Sequence, residues 1–305
     1  MINKLRDNIN RYFIGKEDAV TDVLICLLAG GHILIEDVPG LGKTMLTSTV
    51  AKSIGSSFGR IQCTPDVLPS DITGFSMYNQ KTLEFEYKEG VVNNEILLVD
   101  EINRATPKTQ SALLEAMAEG QVTVDGAMHK LPELFMVIAT QNPSEYIGTY
   151  PLPEAQMDRF MMRISIGYPG RDEELEIARG VLDEVVHSEV MSVASVYDVM
   201  KMREEVARLK VSEGVLSYIV DIIRATREEE RFIQGASIRA MKALVKASMA
   251  RAYIQGRDYV KPDDVKAVAK QVLLHRFTLT PEARCQNDDV KKIFESIIVG
   301  VKIPM

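Results

Sequence analysis

Apolar residues fall along this chain in two rhythms. Up to about residue 168, short continuous apolar runs alternate with stretches at helical spacing; beyond Tyr168-Pro169-Gly170-Arg171 the helical spacing alone continues. The runs at 32–36, 60–63, 96–99, 134–140 and 162–166 are expected strands. Two of them, ILLV and FMVIA, are apolar at consecutive positions, as strands covered by helices on both faces must be. The expected fold is therefore α/β, a five-stranded parallel sheet between helices, followed by a small all-helical domain. The boundary is placed at the Pro-Gly break, giving domains 1–168 and 169–305. Beyond it, EELEIARGVLDEVV, VLSYIVDIIRATR, IRAMKALVKASMARAYI and DDVKAVAKQVLL read as helices, with Pro262 in a first turn and a closing helix over 290–298.

Two segments interrupt the alternation, 74–92 and 121–131. In the second, QVTV and AMHKL flank Asp125-Gly126, a pair suited to a tight hairpin turn because both residues tolerate positive φ. The first contains LEFEY, which alternates apolar and acidic residues. Both are expected hairpins.

Composition narrows the function. The chain is 46% hydrophobic and 26% charged, ordinary for a globular protein. A net charge of -7 counts against duplex nucleic acid as the main partner, since that binding neutralises phosphates with Lys and Arg. The cysteines, Cys26, Cys63 and Cys285, are odd in number and far apart, which fits reduced thiols in a cytoplasmic protein. No apolar run is long enough to span a membrane, and MINKLRDNINRYF is amphipathic and does not resemble a signal peptide. His32, His129, His187 and His275 lack the spacing of a metal site and are expected to be structural or exposed.

The chemistry concentrates at strand tips. HILIEDVPGLGKTMLTSTVAKSI runs strand, glycine loop, helix, the order that lets backbone N–H groups and a helix N-terminus face phosphates. Lys43 is expected to bridge the β and γ phosphates and Thr44 to hold Mg²⁺, with Pro39, Gly40, Leu41, Gly42 and Met45 completing the nucleotide contacts. The first glycine of such loops is here Asp37, which must keep its carboxylate away from phosphate by turning outward or meeting a cation. ILLVDE ends a second strand in Asp100, for the Mg²⁺ shell, and Glu101, to polarise the attacking water. A third strand ends in Gln141-Asn142-Pro143, where the Asn142 amide can orient that water. Arg159 and Arg239 are candidate stabilisers of charge on the γ-phosphate, in cis or from a neighbouring subunit.

Taken together, VPGLGKT, ILLVDEINRA, LLEAM, VIATQNP, LPEAQMDRF and GAS-RA, in that order over residues 14 to about 240, resemble the MoxR branch of the AAA+ ATPases. The resemblance implies an AAA+ P-loop core with a helix-2 insert and a hairpin before sensor 1, and a helical lid. It makes Asn142 sensor 1, Arg159 the arginine finger that reaches an adjacent subunit, and Arg239 sensor 2. It also places Ile14 and Gly15, in FIGKEDA, near adenine. Ile238 stands where this family often has proline, and Lys16 where Gln is common. The implied activity is Mg²⁺-dependent ATP hydrolysis by a homo-oligomer, a hexamer. Its role would be to remodel or mature partner complexes, by assembly or by metal or cofactor insertion, together with separate von Willebrand factor A domain proteins. A nucleic-acid-linked AAA+ motor and a slow nucleotide-dependent switch remain the alternatives. A transcriptional activator is disfavoured because GFSMYN stands where such proteins carry GAFTGA.

Overall fold

The computed structural model describes residues 1–143, 148–182 and 190–304. Two compact units are present, one of residues 1–24, 32–152 and 164–200, the other of residues 25–31, 153–163 and 201–305.

Two helices open the chain, α1 (Ile2–Tyr12) and α2 (Glu17–Ala29). The α/β part then runs β1 (Ile33–Glu36), α3 (Lys43–Ser53), β2 (Phe58–Gln62), α4 (Pro69–Thr73), β3 (Gly74–Asn79), β4 (Glu84–Glu89), β5 (Ile96–Asp100), α5 (Pro107–Glu119), β6 (Gln121–Val124), β7 (Ala127–Lys130), β8 (Met136–Gln141), α6 (Glu154–Met157) and β9 (Met162–Ile164). The five expected strands form one sheet in the order β2-β5-β8-β1-β9, with β2–β5, β5–β8 and β1–β8 parallel. The central strands β5 and β8 are buried along nearly their whole length, whereas β2, at the edge, alternates exposed and covered positions. β2 reaches back to Phe58 and Gly59 because these residues pair with Ile96 and Leu97 of β5.

Both interruptions are antiparallel hairpins. β3 pairs with β4 around a turn in which Leu83 takes φ 59, and β6 pairs with β7 around Asp125 and Gly126, both at positive φ. The Tyr87 ring of one hairpin stacks on the His129 ring of the other at 3.7 Å between centroids. His32 is held at the start of β1 by the Val137 N–H, which donates to Nδ1, and lies 3.1 Å from the Met117 carbonyl through Nε2. His187 and residues 183–186 of an expected helix lie outside the described residues.

The remaining helices are α7 (Arg171–Leu182), α8 (Val196–Ala207), α9 (Glu213–Glu228), α10 (Ile238–Ile254), α11 (Pro262–Leu273), α12 (Pro281–Cys285) and α13 (Val290–Gly300). In the second unit Val215, Ile219 and Ile222 of α9, Leu244 and Ala247 of α10, and Val265, Val268 and Val272 of α11 are fully or almost fully buried. Phe277 stacks on Phe232 at 4.6 Å and meets Phe294 of α13. The Ser237 hydroxyl caps α10 by accepting from the Ala240 N–H, so this helix starts cleanly at Ile238 without the proline.

Candidate functional site

The glycine loop leaves β1 and enters α3 through two left-handed residues, Gly40 at φ 86 and Gly42 at φ 78. A side chain at 42 would be strained by that φ and would also press on the Phe13 ring, 3.0 Å from the place of a Cβ. Glycine is thus required here by the turn and by the packing of the chain entering α2.

Asp37 does not turn outward into solvent, and the cation it meets is Lys43 of the same loop. It is buried, and its carboxylate accepts hydrogen bonds from the Ser165 hydroxyl at 2.8 Å and from the N–H groups of Ile166 and Gly167. Three donors on the segment leaving β9 satisfy the charge, so the residue staples the loop to that segment. Its carbonyl accepts from Lys43 Nζ. Burial pulls the Lys43 ammonium below its usual value, and Asp37, Asp100, Glu101 and Glu36 oppose that pull.

Lys43, Thr44, Asp100, Glu101 and Asn142 converge on one cavity of about 420 Å³, together with Pro39, Gly40, Gly42 and Met45. Parallel register explains the convergence, since the tips of β1, β5 and β8 end at one edge of the sheet and the loop rises beside them. Asp100 and Asn142 are buried. Glu101 sits at φ 55, a left-handed conformation costing about 1–2 kcal/mol for a side-chain-bearing residue. Its N–H donates to Thr140 Oγ1 at 2.9 Å, and that hydroxyl donates to Asp100 Oδ1 at 3.2 Å, so Thr140 ties both acids to β8. The Glu101 carboxylate lies 3.2 Å from Arg104 Nη1, and Asp100 Oδ2 accepts from Arg60 Nε at 3.0 Å.

A second cavity, of about 480 Å³, adjoins the other side of the loop, lined by Ile14, Leu41, Met45, Ile166, Tyr168 and Ile177 among others. Its walls are mainly apolar, as a flat aromatic base requires. Gly15 stands beside it at φ 78, where a Cβ would collide with the Glu173 side chain. Lys16 donates to the Tyr168 carbonyl at 2.7 Å, which joins the entry segment to the chain before α7.

Arg159 and Arg239 belong to the second unit, whereas all residues of the two cavities belong to the first. Arg239 lies 3.3 Å from Asp158, whose carboxylate also accepts from the Ser237 hydroxyl and from the buried Arg276. Arg276 further donates to the carbonyls of Asp158 and Phe160, on either side of Arg159. Phe160 is fully buried, and its carbonyl is 3.2 Å from His275 Nε2. The segment carrying Arg159 is thereby clamped.

Sequence reasoning missed Arg60, Gln62 and Thr140, which line the first cavity, and Arg104 beside Glu101. Arg60 and Gln62 lie in an expected strand and belong to no motif that marks a site. Thr140 was visible as the hydroxyl residue just before Gln141 and Asn142.

Two family models match the chain: the ATPase family associated with various cellular activities (AAA), over residues 32–162, and the AAA lid domain, over residues 224–297. The uncharacterized protein YeaC of Bacillus subtilis is 48% identical, over 100% of this chain and 95% of that protein. Chaperone MoxR1 of Mycobacterium tuberculosis is 39% identical, over 97% of this chain and 80% of that protein. The crystal structure of a candidate ATPase from Cytophaga hutchinsonii superposes with a TM-score of 0.93 at 41% identity, covering 100% of this chain and 95% of that one.

Proposed function

Since the chain belongs to the MoxR family of AAA ATPases, we propose that it is an ATP-driven chaperone that remodels or matures partner protein complexes. The observation that carries this reading is the meeting of Lys43, Thr44, Asp100, Glu101 and Asn142 around a single cavity at the sheet edge.

In this reading the triphosphate lies along the loop, with the backbone of Gly40 and Gly42 and the Lys43 ammonium as its donors and the base in the apolar cavity by Ile14, Leu41 and Met45. Glu101 accepts the proton of the attacking water, and Asn142 orients that water by hydrogen bonding. Thr44 and Asp100 offer a hydroxyl and a carboxylate, an oxygen donor pair that suits a small hard cation keeping water and phosphate oxygens for the rest of its shell. Mg²⁺ held there would neutralise charge developing on the phosphates. Arg159 of an adjacent subunit completes the site as the arginine finger, and Arg239 acts on the γ-phosphate as sensor 2. The working form is a homo-oligomer, a hexamer in the cytoplasm, in which residues 1–168 are the nucleotide core and 169–305 the lid. Among the described residues no helix is long and apolar enough to cross a membrane.

The partners are von Willebrand factor A domain proteins, and the work done on them is assembly or metal or cofactor insertion. The direct test is capture with Glu101→Gln and ATP, which holds the bound state. Recovery of a von Willebrand factor A protein supports the chaperone. ATP hydrolysis stimulated by DNA and falling steeply with salt would replace it by a nucleic-acid motor.

A further inference from the structure

We infer that Arg60 is the resident counter-ion of Asp100, holding that carboxylate until the Mg²⁺ that accompanies the nucleotide takes its place. The inference rests on the reading of Asp100 as part of the Mg²⁺ seat.

Arg60 projects from the edge strand β2, which lies in parallel register against β5 with Gln62 opposite Asp100. Its Nε and Nη2 lie 3.0 and 2.9 Å from the same oxygen, Oδ2. The other oxygen, Oδ1, accepts from Thr140. Both carboxylate oxygens therefore already have a donor within the protein, so a cation binding through Oδ2 must displace the Arg60 fork. The Asp100 side chain is 11% exposed and that of Arg60 50%. The acid is thus fixed, while its partner can swing through solvent without a burial penalty. Arg60 also lines the cavity that contains Lys43 and Thr44, so a displaced guanidinium stays beside the polyanion that displaced it. The polyanion offsets the lost pair only in part, so the remainder raises the Mg²⁺ concentration needed to displace Arg60.

An ion pair that merely fastened β2 to β5 would affect melting and leave the cation dependence of nucleotide binding alone. The experiment is a Mg²⁺ titration of fluorescent ADP-analogue binding to the full chain, read as the Mg²⁺ midpoint, with affinity in EDTA as the reference. For Arg60→Gln the midpoint is expected to fall about three- to fivefold, the size of a half-exposed ion pair converted to a concentration ratio. Arg60→Lys keeps a charge but loses the two-point fork, so its midpoint is expected between the two, and it serves if the Gln variant does not fold. A midpoint unchanged or raised in the folded variants overturns the inference. Asp100→Asn separates the two failures: it should abolish the Mg²⁺ effect, and if it does not, the Mg²⁺ reading of Asp100 is what has failed.

Discussion

Arginine–carboxylate pairs occur in both units, and two of them, Arg60–Asp100 and Arg276–Asp158, sit in opposite settings. Around the nucleotide cavity the arginines stand in water: Arg60 and Arg104 are 50% and 42% exposed, and each rests on one of the two acids proposed for hydrolysis. In the second unit Arg276 is 4% exposed and is spent on Asp158 and on the carbonyls flanking Arg159. A half-exposed pair is worth little and can exchange partners, whereas a buried one is costly to break because it leaves an uncompensated charge. In the proposed reading, the exchangeable pair stands at the cavity that ligands enter and the buried one beside the arginine offered to a neighbour.

The contrast can be broken at several points. The largest effect is expected at Glu101→Gln, with ATP turnover falling by about 10²–10⁴ while nucleotide binding is kept, measured by phosphate release against fluorescent-nucleotide affinity. Next comes Arg276→Met, expected to cost about 2–3 kcal/mol in urea unfolding because Asp158 keeps only Arg239 and Ser237 and the buried Phe160 carbonyl loses a donor. Retention of full stability by that variant would show that Arg276 does not clamp the Arg159 segment.

A smaller effect concerns His275, whose pKa is held well below its ordinary value of 6.5, first by burial and then by Arg276 and Arg163. The unfolded chain takes up a proton as pH falls below about 6.5 and the folded chain does not. Stability is accordingly complete above that pH and declines below it, by up to about 1.4 kcal/mol per pH unit, until the folded-state pKa is passed. Unfolding at pH 5 and pH 7 measures the decline, and His275→Gln should flatten it. The smallest effect is expected at Arg60→Gln, with a stability change within about 1 kcal/mol; a loss near that of Arg276→Met would mean the two pairs do not differ.

Much of this was legible beforehand because it depends on local rhythm. The five strands were visible because β1, β5 and β8 are continuous apolar runs, and both hairpins because Asp125-Gly126 and LEFEY announce them. The cavity residues were legible because the loop and the strand tips follow one another in a fixed order. What stayed hidden depends on pairing across the sheet. Arg60 meets Asp100 only through the β2–β5 register, and Asp37 meets Ser165 through a separation of 128 residues. Neither relation leaves a periodic trace.

If each site is built from Glu101 of one subunit and Arg159 of the next, mixing two disabled chains restores activity. Glu101→Gln and Arg159→Ala, each alone, should hydrolyse ATP very slowly while still binding it. Co-assembled at equal amounts, they should recover about a quarter of wild-type turnover, because that share of interfaces joins an intact Glu101 to an intact Arg159. Full activity of Arg159→Ala alone, or no recovery from a mixed assembly of confirmed composition, would contradict the shared site.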